Sequence, residues 1–164
     1  MIPSPSAQVS ALGGGDLQLL LCRAGATVCA LPLPHVVETL RPLPIEALPG
    51  MPLFLAGFAV IRGGPVPVVS LACLLGEQEP TQVARFVVTR VQERRVALAV
   101  EAVLGVRPIR TATLGELPLL MREARADFVA AIGTLDARLL VVLESARIIT
   151  ESTWMLLRAG GGST

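Results

Sequence analysis

The sequence predicts an all-β protein, a barrel or a sandwich, that ends in one helix. About nine short runs rich in β-branched and other apolar residues follow one another, and Gly, Pro and charged turn residues separate them at regular spacing. With 164 residues, of which 52% are hydrophobic, the chain is long enough to bury a substantial core. Its charged share of 16% is below the usual figure of about 25%, so we expect apolar surface that partner proteins cover.

Each predicted strand lies between turn signals. The strands are expected at residues 17–22, 27–31, 36–40, 58–61, 66–71, 85–91, 95–103, 128–135 and 139–143. Residues 1–15 are rich in Ser, Pro, Ala and Gly and have no hydrophobic period, which predicts a disordered tail. Apolar residues around Trp154 predict a helix within residues 144–157, with Ser152 as a cap for its second part.

The strand at 36–40 carries a carboxylate among apolar residues. Pro32 and Pro34 precede it and interrupt the backbone ladder, because proline has no N–H to donate. Val36, Glu38 and Leu40 fall on one face of this strand. A solvated edge strand would explain Glu38 without any function, and the alternative is that Glu38 pairs with a cation elsewhere in the fold.

Residues 57–76 join two strands through a turn that holds one charge. Both strands are apolar, and Arg62 is the only charged residue in this stretch. A guanidinium in such surroundings faces water, pairs inside the fold or meets another protein. Arg62 is therefore the first candidate functional residue, although an arginine that simply reaches water is the commoner case.

Two segments of the second half leave alternatives open. Alternating apolar residues favour a strand at 95–103, and Gly105 and Pro108 close it, but a helix over 97–104 remains an alternative. Residues 111–127 form a mixed segment, charged between Met121 and Ala126, which we interpret as a solvated connection rather than a binding element.

The composition excludes several classes of function. A net charge of +1 and 3% aromatic residues provide neither a phosphate-attracting field nor stacking platforms, so nucleic acid is not expected as a partner. The 14 basic residues are all arginine, so a Walker phosphate loop, a Schiff base and a receiver-domain site are excluded in their standard forms. His35 is the single histidine, and no Asp or Glu cluster accompanies it. We therefore expect no metal, no cofactor and no catalysis.

The three cysteines are expected to be core residues. Cys22, Cys29 and Cys73 each lie in an apolar run at no metal-like spacing, and reduced thiols suit the cytoplasm. The N-terminus does not resemble a signal peptide. The uncharged runs are broken by Pro and Gly and fall short of the roughly 20 residues that a spanning helix needs, so no insertion into a membrane is expected.

The stretch 57–76 resembles the CheW-like domain of bacterial chemosensory coupling proteins. That family's pattern here is roughly G-x-x-N-L-R-G-x-x-x-P-V-x-D-L-x-x-x-L-G. The residues that fall on it are Gly57, Arg62, Gly63, Pro67, Val68, Leu71, Leu75 and Gly76. Val60 departs from the usual Asn, Ser70 from the usual Asp and Ala72 from a commonly basic residue. Residues 36–42 also resemble the family's V-x-E-V-L-R-P stretch, which makes Glu38 the best internal partner for Arg62.

The resemblance implies a more specific fold. It implies two small five-stranded barrels, SH3-like or OB-like, that pack around a shared core with a groove between them, followed by a short C-terminal helix. The CheW-like domain would cover residues 16–150, after the tail at 1–15, and residues 151–164 would hold the helix end and a flexible tail.

The resemblance also implies a function. A protein of this family is a non-catalytic adaptor between the cytoplasmic tip of chemoreceptors and the regulatory domain of a CheA-type histidine kinase. It would be cytoplasmic and recruited to membrane-associated receptor arrays. The residues that the resemblance assigns to receptor or kinase binding are Val36, Glu38, Gly57, Arg62 and Gly63.

Two other functions stay open at this point. The lost Asn and Asp at Val60 and Ser70 fit a CheW-like scaffold of a divergent, non-flagellar pathway such as pilus-based motility. A small-molecule-binding β-barrel would use the high hydrophobic content to line a cavity.

Overall fold

The computed structural model describes residues 15–77, 82–115 and 127–161. Most of the predicted tail at 1–15, all of the stretch from Met121 to Ala126 and the last three residues lie outside this range. The strands are β1 Asp16–Ala24, β2 Thr27–Pro32, β3 Val36–Leu40, β4 Leu55–Ile61, β5 Gly64–Ser70, β6 Arg85–Val91, β7 Arg94–Val100, β8 Ala102–Arg110, β9 Val129–Leu135 and β10 Arg138–Leu143. The α-helices are α1 Leu71–Leu74 and α2 Glu151–Gly161, and 3-10 turns lie at Leu33–His35, Thr111–Thr113 and Ser145–Arg147.

The strands form two five-stranded sheets with the same internal plan. Sheet A has the order β8-β1-β2-β10-β9, and sheet B has the order β3-β6-β7-β5-β4. Taken in these orders, each sheet contains one parallel pair, β2 with β10 and β5 with β7, and its other pairs are antiparallel. Each sheet therefore has two edge strands, β8 and β9 in sheet A and β3 and β4 in sheet B.

The buried apolar residues form three clusters, of which one joins the two sheets. One lies inside sheet A and includes Leu19 and Leu140, and a second lies inside sheet B and includes Phe86 and Val68. The third and largest cluster draws residues from both sheets and from α2, whose Leu157 it buries. The predicted all-β class is therefore confirmed, with two five-stranded units around a shared core and a short C-terminal helix.

A backbone bridge ties the two edges of each sheet. After β3 the chain returns to β4, where the Glu46 and Phe58 backbones exchange N–H···O bonds of 2.8 and 2.9 Å. After β8 the chain returns in the same way to β9, where Gly115 and Ile132 exchange bonds of 2.8 and 3.2 Å. The exposed edges that would otherwise invite pairing with other chains are thus partly covered.

The prediction for residues 95–103 was wrong in its limits. The chain leaves sheet B after Val100, the Glu101 N–H donates to the Arg23 carbonyl at 3.0 Å, and β8 then continues to Arg110. Gly105 has a φ of +108°, which accommodates an irregularity in the pairing with β1, and Pro108 is tolerated because β8 is an edge strand. Gly105 and Pro108, which on local sequence alone predict the end of a strand, therefore lie within the irregular edge strand β8.

Both helices begin at hydroxyl caps. The Ser70 hydroxyl accepts a hydrogen bond from the Cys73 N–H at 3.3 Å and starts α1, a single turn that the sequence did not predict. At α2 the cap is Thr150, whose Oγ1 accepts from the Thr153 N–H at 3.2 Å. The prediction that Ser152 caps this helix was therefore wrong by two residues.

Two of the three cysteines, Cys22 and Cys29, are core residues as predicted, whereas Cys73 on α1 is only half-buried and lies outside the core clusters. Cys22 and Cys29 lie opposite each other on β1 and β2 and are fully buried in the shared core. Burial raises the pKa of both thiols to about 12, which disfavours the reactive thiolate. Among the described helices, none has the length and apolar character needed to cross a bilayer.

Candidate functional site

Arg62 lies in the tight turn between β4 and β5. The strands pair up to Ile61 and Gly64, so Arg62 and Gly63 form a two-residue hairpin loop. Their φ angles are +52° and +80°, as a type I′ turn requires at both loop positions. Glycine adopts this conformation freely, but arginine does so only at a conformational cost. The hairpin thus holds Arg62 in a strained conformation on the tip of sheet B.

Glu38 lies on β3, the opposite edge of the same sheet. The pairing between β3 and β6 shifts by one residue between Val36 and Glu38, which leaves Val37 as the extra, exposed residue. Glu38 then pairs with Val88, a residue of the sheet B interior, so its side chain lies on the inner face at the end of the sheet.

The two side chains meet across the gap between β3 and β4. Arg62 donates from Nε to Glu38 Oε2 at 3.1 Å and from Nη2 to Oε1 at 2.7 Å, a bidentate arrangement. The Arg62 side chain is 72% exposed, whereas that of Glu38 is 22% exposed. The pairing that the sequence predicted is therefore present, and it bridges the edges of sheet B near its end.

The pair changes the ionisation of both groups in the direction expected for opposite charges. The hydrogen bonds from Arg62 hold the pKa of Glu38 below its usual value, and the positive charge of Arg95 acts in the same direction. The hydrogen bonds to Glu38 raise the pKa of Arg62. Both groups are therefore ionised at neutral pH, and the site is a charged surface rather than a proton donor.

The other predicted site residues lie at different depths. Gly63 is exposed beside Arg62 in the turn, and Val36 is half-buried and packs against the shared core. Gly57 is buried: with a φ of +142°, a Cβ there would lie 2.1 Å from the Glu46 carbonyl oxygen. The structure thus brings Glu38, Arg62 and Gly63 together. The space that a side chain at Gly57 would need is filled by the backbone of Glu46 and Ala47.

Near the pair, the sequence analysis missed Arg95 and Gly64 as site residues, and it named Val60 only as a departure from the family pattern. Val60 on β4 is 70% exposed, the highest value among the large apolar residues that are described as exposed. Arg95 on β7 is half-buried, and its Nη2 lies 3.2 Å from the position of a Cβ at Gly64 on β5. The parallel pairing of β5 with β7 brings Arg95 close to Gly64, and no local sequence signal predicts such a pairing.

The Glu38–Arg62 site offers fixed charge and exposed surface. Among the residues that the structure describes, no group of three or more His, Cys, Asp or Glu side chains is arranged to hold a metal ion. The arrangement at Glu38 and Arg62 is suited to recognition, since a bidentate guanidinium–carboxylate pair presents fixed polar groups to another surface.

Comparisons with known proteins agree with one another. The chain is 27% identical over 146 residues to a probable chemotaxis protein CheW of Rhizobium etli, a match covering 88% of this chain and 94% of that one. It is 24% identical over 135 residues to the chemotaxis protein CheW of Rhizobium meliloti, covering 81% and 87%.

A solved structure and a family profile extend this result. The crystal structure of scaffolding protein TtCheW from Thermoanaerobacter tengcongensis superposes with a TM-score of 0.71 at 20% identity, over 84% of this chain and 95% of that one. This likeness shows the fold. The sequence profile of the CheW-like domain matches residues 18–153, which include both sheets and the start of α2. The chain therefore belongs to the CheW-like domain family.

Proposed function

We propose that the chain is a non-catalytic adaptor that couples chemoreceptors to a CheA-type histidine kinase in a chemosensory array. The match to the CheW-like domain over residues 18–153 carries this proposal, and two relatives similar over most of their length are named chemotaxis proteins. An adaptor would act in the cytoplasm and be recruited to the receptor array at the membrane. It would need binding surfaces and no catalytic groups.

The proposed receptor- or kinase-binding residues are Val36, Glu38, Gly57, Arg62 and Gly63. Arg62 and Gly63 form an exposed turn, and the Glu38 carboxylate holds the guanidinium in one orientation through two hydrogen bonds. The exposed side chain of Val60 lies two residues before Arg62 on the same hairpin and provides apolar area. Fixed charge beside apolar surface is the composition from which specific interfaces are built.

Val36 and Gly57 take part in this proposal as supporting residues. Val36 anchors the start of β3 on the shared core, and Gly57 allows the chain around Glu46 to lie against β4. Both fix the relative positions of β3 and β4, and hence the distance that the Glu38–Arg62 pair spans.

Two binding measurements test the function. Calorimetric titration with the cytoplasmic tip of a chemoreceptor, and separately with the regulatory domain of a histidine kinase, should each give a one-to-one complex when both proteins come from the same organism as this chain. A receptor array reconstituted with all three proteins should show higher kinase activity than one without the chain. If the chain binds neither protein, the adaptor function is wrong.

A further inference from the structure

Arg95 differs from every other arginine that the structure describes. Five arginines pair with carboxylates: Arg23, Arg62, Arg90, Arg94 and Arg107. Five others are exposed to water without an ion pair: Arg41, Arg85, Arg110, Arg138 and Arg158. Arg147 is half-buried and has interactions of its own. Within the described ranges, Arg95 is the arginine that is half-buried and has neither an ion pair nor a hydrogen bond from its side chain.

The position of Arg95 places it at the open end of sheet B. Its neighbour two residues on, Ala97, belongs to the interior of sheet B, so alternation along β7 puts Arg95 on the same inner face. Glu38 lies on this face too, opposite the interior residue Val88. Arg95 and Glu38 therefore lie at the same end of the inner face of sheet B, beside the turn that holds Arg62. We call this end the mouth of sheet B.

Gly64 provides the space that the Arg95 guanidinium occupies. Its backbone is not in the left-handed region, so the conformation of β5 does not itself require glycine there. A Cβ at this position would lie 3.2 Å from Arg95 Nη2, closer than ordinary van der Waals contact. The absence of a side chain at Gly64 thus lets the Arg95 guanidinium lie against β5 at this end of sheet B.

The charges at this mouth do not balance. Arg62 and Arg95 contribute two positive charges, and Glu38 contributes one negative charge, which both arginines stabilise in its ionised form. The next arginines along the chain, Arg90 and Arg94, already have their own carboxylates in Glu93 and Glu151. A partly desolvated cation with no carboxylate in ion-pair or hydrogen-bond contact is unfavourable, and a partner that supplies one reduces this penalty.

We propose that Arg95, Arg62 and Gly64 form a subsite at the mouth of sheet B that accepts one Asp or Glu side chain from the cytoplasmic tip of a chemoreceptor. The inference rests on the proposed adaptor function and adds to it the chemistry of the residue that enters the site. Arg62 is already held by Glu38, so Arg95 supplies the donors that are free, and the incoming carboxylate brings the local charge to zero. Arginine suits this role because its planar fork binds a carboxylate with two parallel hydrogen bonds.

The test uses the full chain and the cytoplasmic tip of a chemoreceptor from the same organism. Arg95→Gln should weaken binding by at least about tenfold, since removal of one partner of a desolvated pair usually has at least this effect. Arg138→Gln is the control, because Arg138 is exposed at the start of β10 in the other sheet, and it should bind like the parent chain. Gly64→Ala should weaken binding less than Arg95→Gln, because the flexible end of Arg95 yields by a few tenths of an ångström.

A second arm identifies the carboxylate. Each Asp and Glu of the receptor tip is changed singly to its amide, and one such change should weaken binding to the parent chain yet leave binding to Arg95→Gln unaltered. Affinity of Arg95→Gln equal to that of the parent, or the absence of a coupled carboxylate, overturns the subsite while leaving the adaptor function intact. If the parent chain itself does not bind the receptor tip, the adaptor function fails first. A lower thermal midpoint of Arg95→Gln with unchanged affinity would make Arg95 a structural residue and overturn the proposal.

Discussion

Asp136 occupies in the β9–β10 turn of sheet A the position that Arg62 occupies in the β4–β5 turn of sheet B. Each is the first residue of a two-residue hairpin loop, with φ angles of +50° and +52°. Each also forms an ion pair with the edge strand across its own sheet: Arg107 Nη1 lies 3.0 Å from Asp136 Oδ2, as Glu38 lies against Arg62. The two sheets thus repeat one construction with the charges exchanged, and the sheet A pair is an internal control for the sheet B pair.

The first prediction uses this equivalence. Arg62→Ala removes an exposed pair, so the thermal midpoint should change little, because such pairs add little to stability in water. Affinity for the receptor tip should fall by at least about tenfold, equal to 1.4 kcal/mol. Asp136→Ala removes the equivalent ion pair in the same turn geometry and should leave receptor affinity unchanged. Equal losses for the two variants, measured by calorimetry, would remove Arg62 from the receptor site.

The second prediction concerns two glutamates whose pKa values move in opposite directions. Glu144 is buried, and desolvation raises its pKa, an effect that the Ala146 backbone, His35 and Arg147 only partly offset. A raised folded pKa gives stability that is fully present below the unfolded value of about 4.3 and is lost as the pH rises through the folded value. Glu144→Gln should therefore gain stability relative to the parent chain as the pH is raised from 4 to 8.

Glu38 should show the opposite dependence. Its pKa is lowered by Arg62, so the contribution of the pair is present above about pH 4.3 and is lost as the pH falls through the lowered folded value. Thermal midpoints of the parent chain, Glu38→Gln and Glu144→Gln between pH 3 and 8 check both signs. Parallel pH profiles for the two variants would contradict the assignment of opposite shifts.

The sequence predicted the strands well where β-branched runs end at local turn signals, and it paired Glu38 with Arg62 because the family resemblance aligned both. It did not predict β8, since Gly105 and Pro108 end a strand in isolation and are tolerated only on a bent edge. Arg95 and Gly64 were missed because their contact arises from the parallel pairing of β5 with β7, a feature of tertiary structure. Local signals therefore predict elements, whereas the unbalanced charge at the site arises from how the elements assemble.

The third prediction explains one departure from the family pattern. Ser70 stands where the family usually has Asp, and its hydroxyl caps α1 by accepting from the Cys73 N–H. Ser and Asp are about equally good at this position, so Ser70→Asp should change the free energy of unfolding by only a few tenths of a kcal/mol. Ser70→Ala should destabilise the chain by about 1 kcal/mol. Chemical denaturation curves distinguish the two, and a large loss for Ser70→Asp would show that capping is not what this position requires.

The fourth prediction separates the role of Gly57 from that of Gly63. A Cβ at Gly57 would lie 2.1 Å from the Glu46 carbonyl oxygen and 2.9 Å from the Ala47 Cα. These are backbone atoms that a bridge to Phe58 holds in place, so they cannot yield as a flexible side chain would. Gly57→Ala should therefore destabilise the chain by at least about 2 kcal/mol through overpacking and strain.

Gly63→Ala is the control for this effect. A Cβ at Gly63 meets nothing within 4 Å, and its φ of +80° leaves only the backbone strain of a left-handed residue. That strain is worth roughly 1–2 kcal/mol, so the free energy of unfolding should fall less than for Gly57→Ala. Receptor affinity supplies a second readout. Replacing a glycine that supports β4 from the inside mainly lowers stability, whereas replacing one that contacts the partner lowers affinity by more than its loss of stability explains. A Gly57→Ala chain that unfolds at the denaturant concentration of the parent would show that the chain segment around Glu46 is free to move, and Gly57 would then act at the binding surface itself.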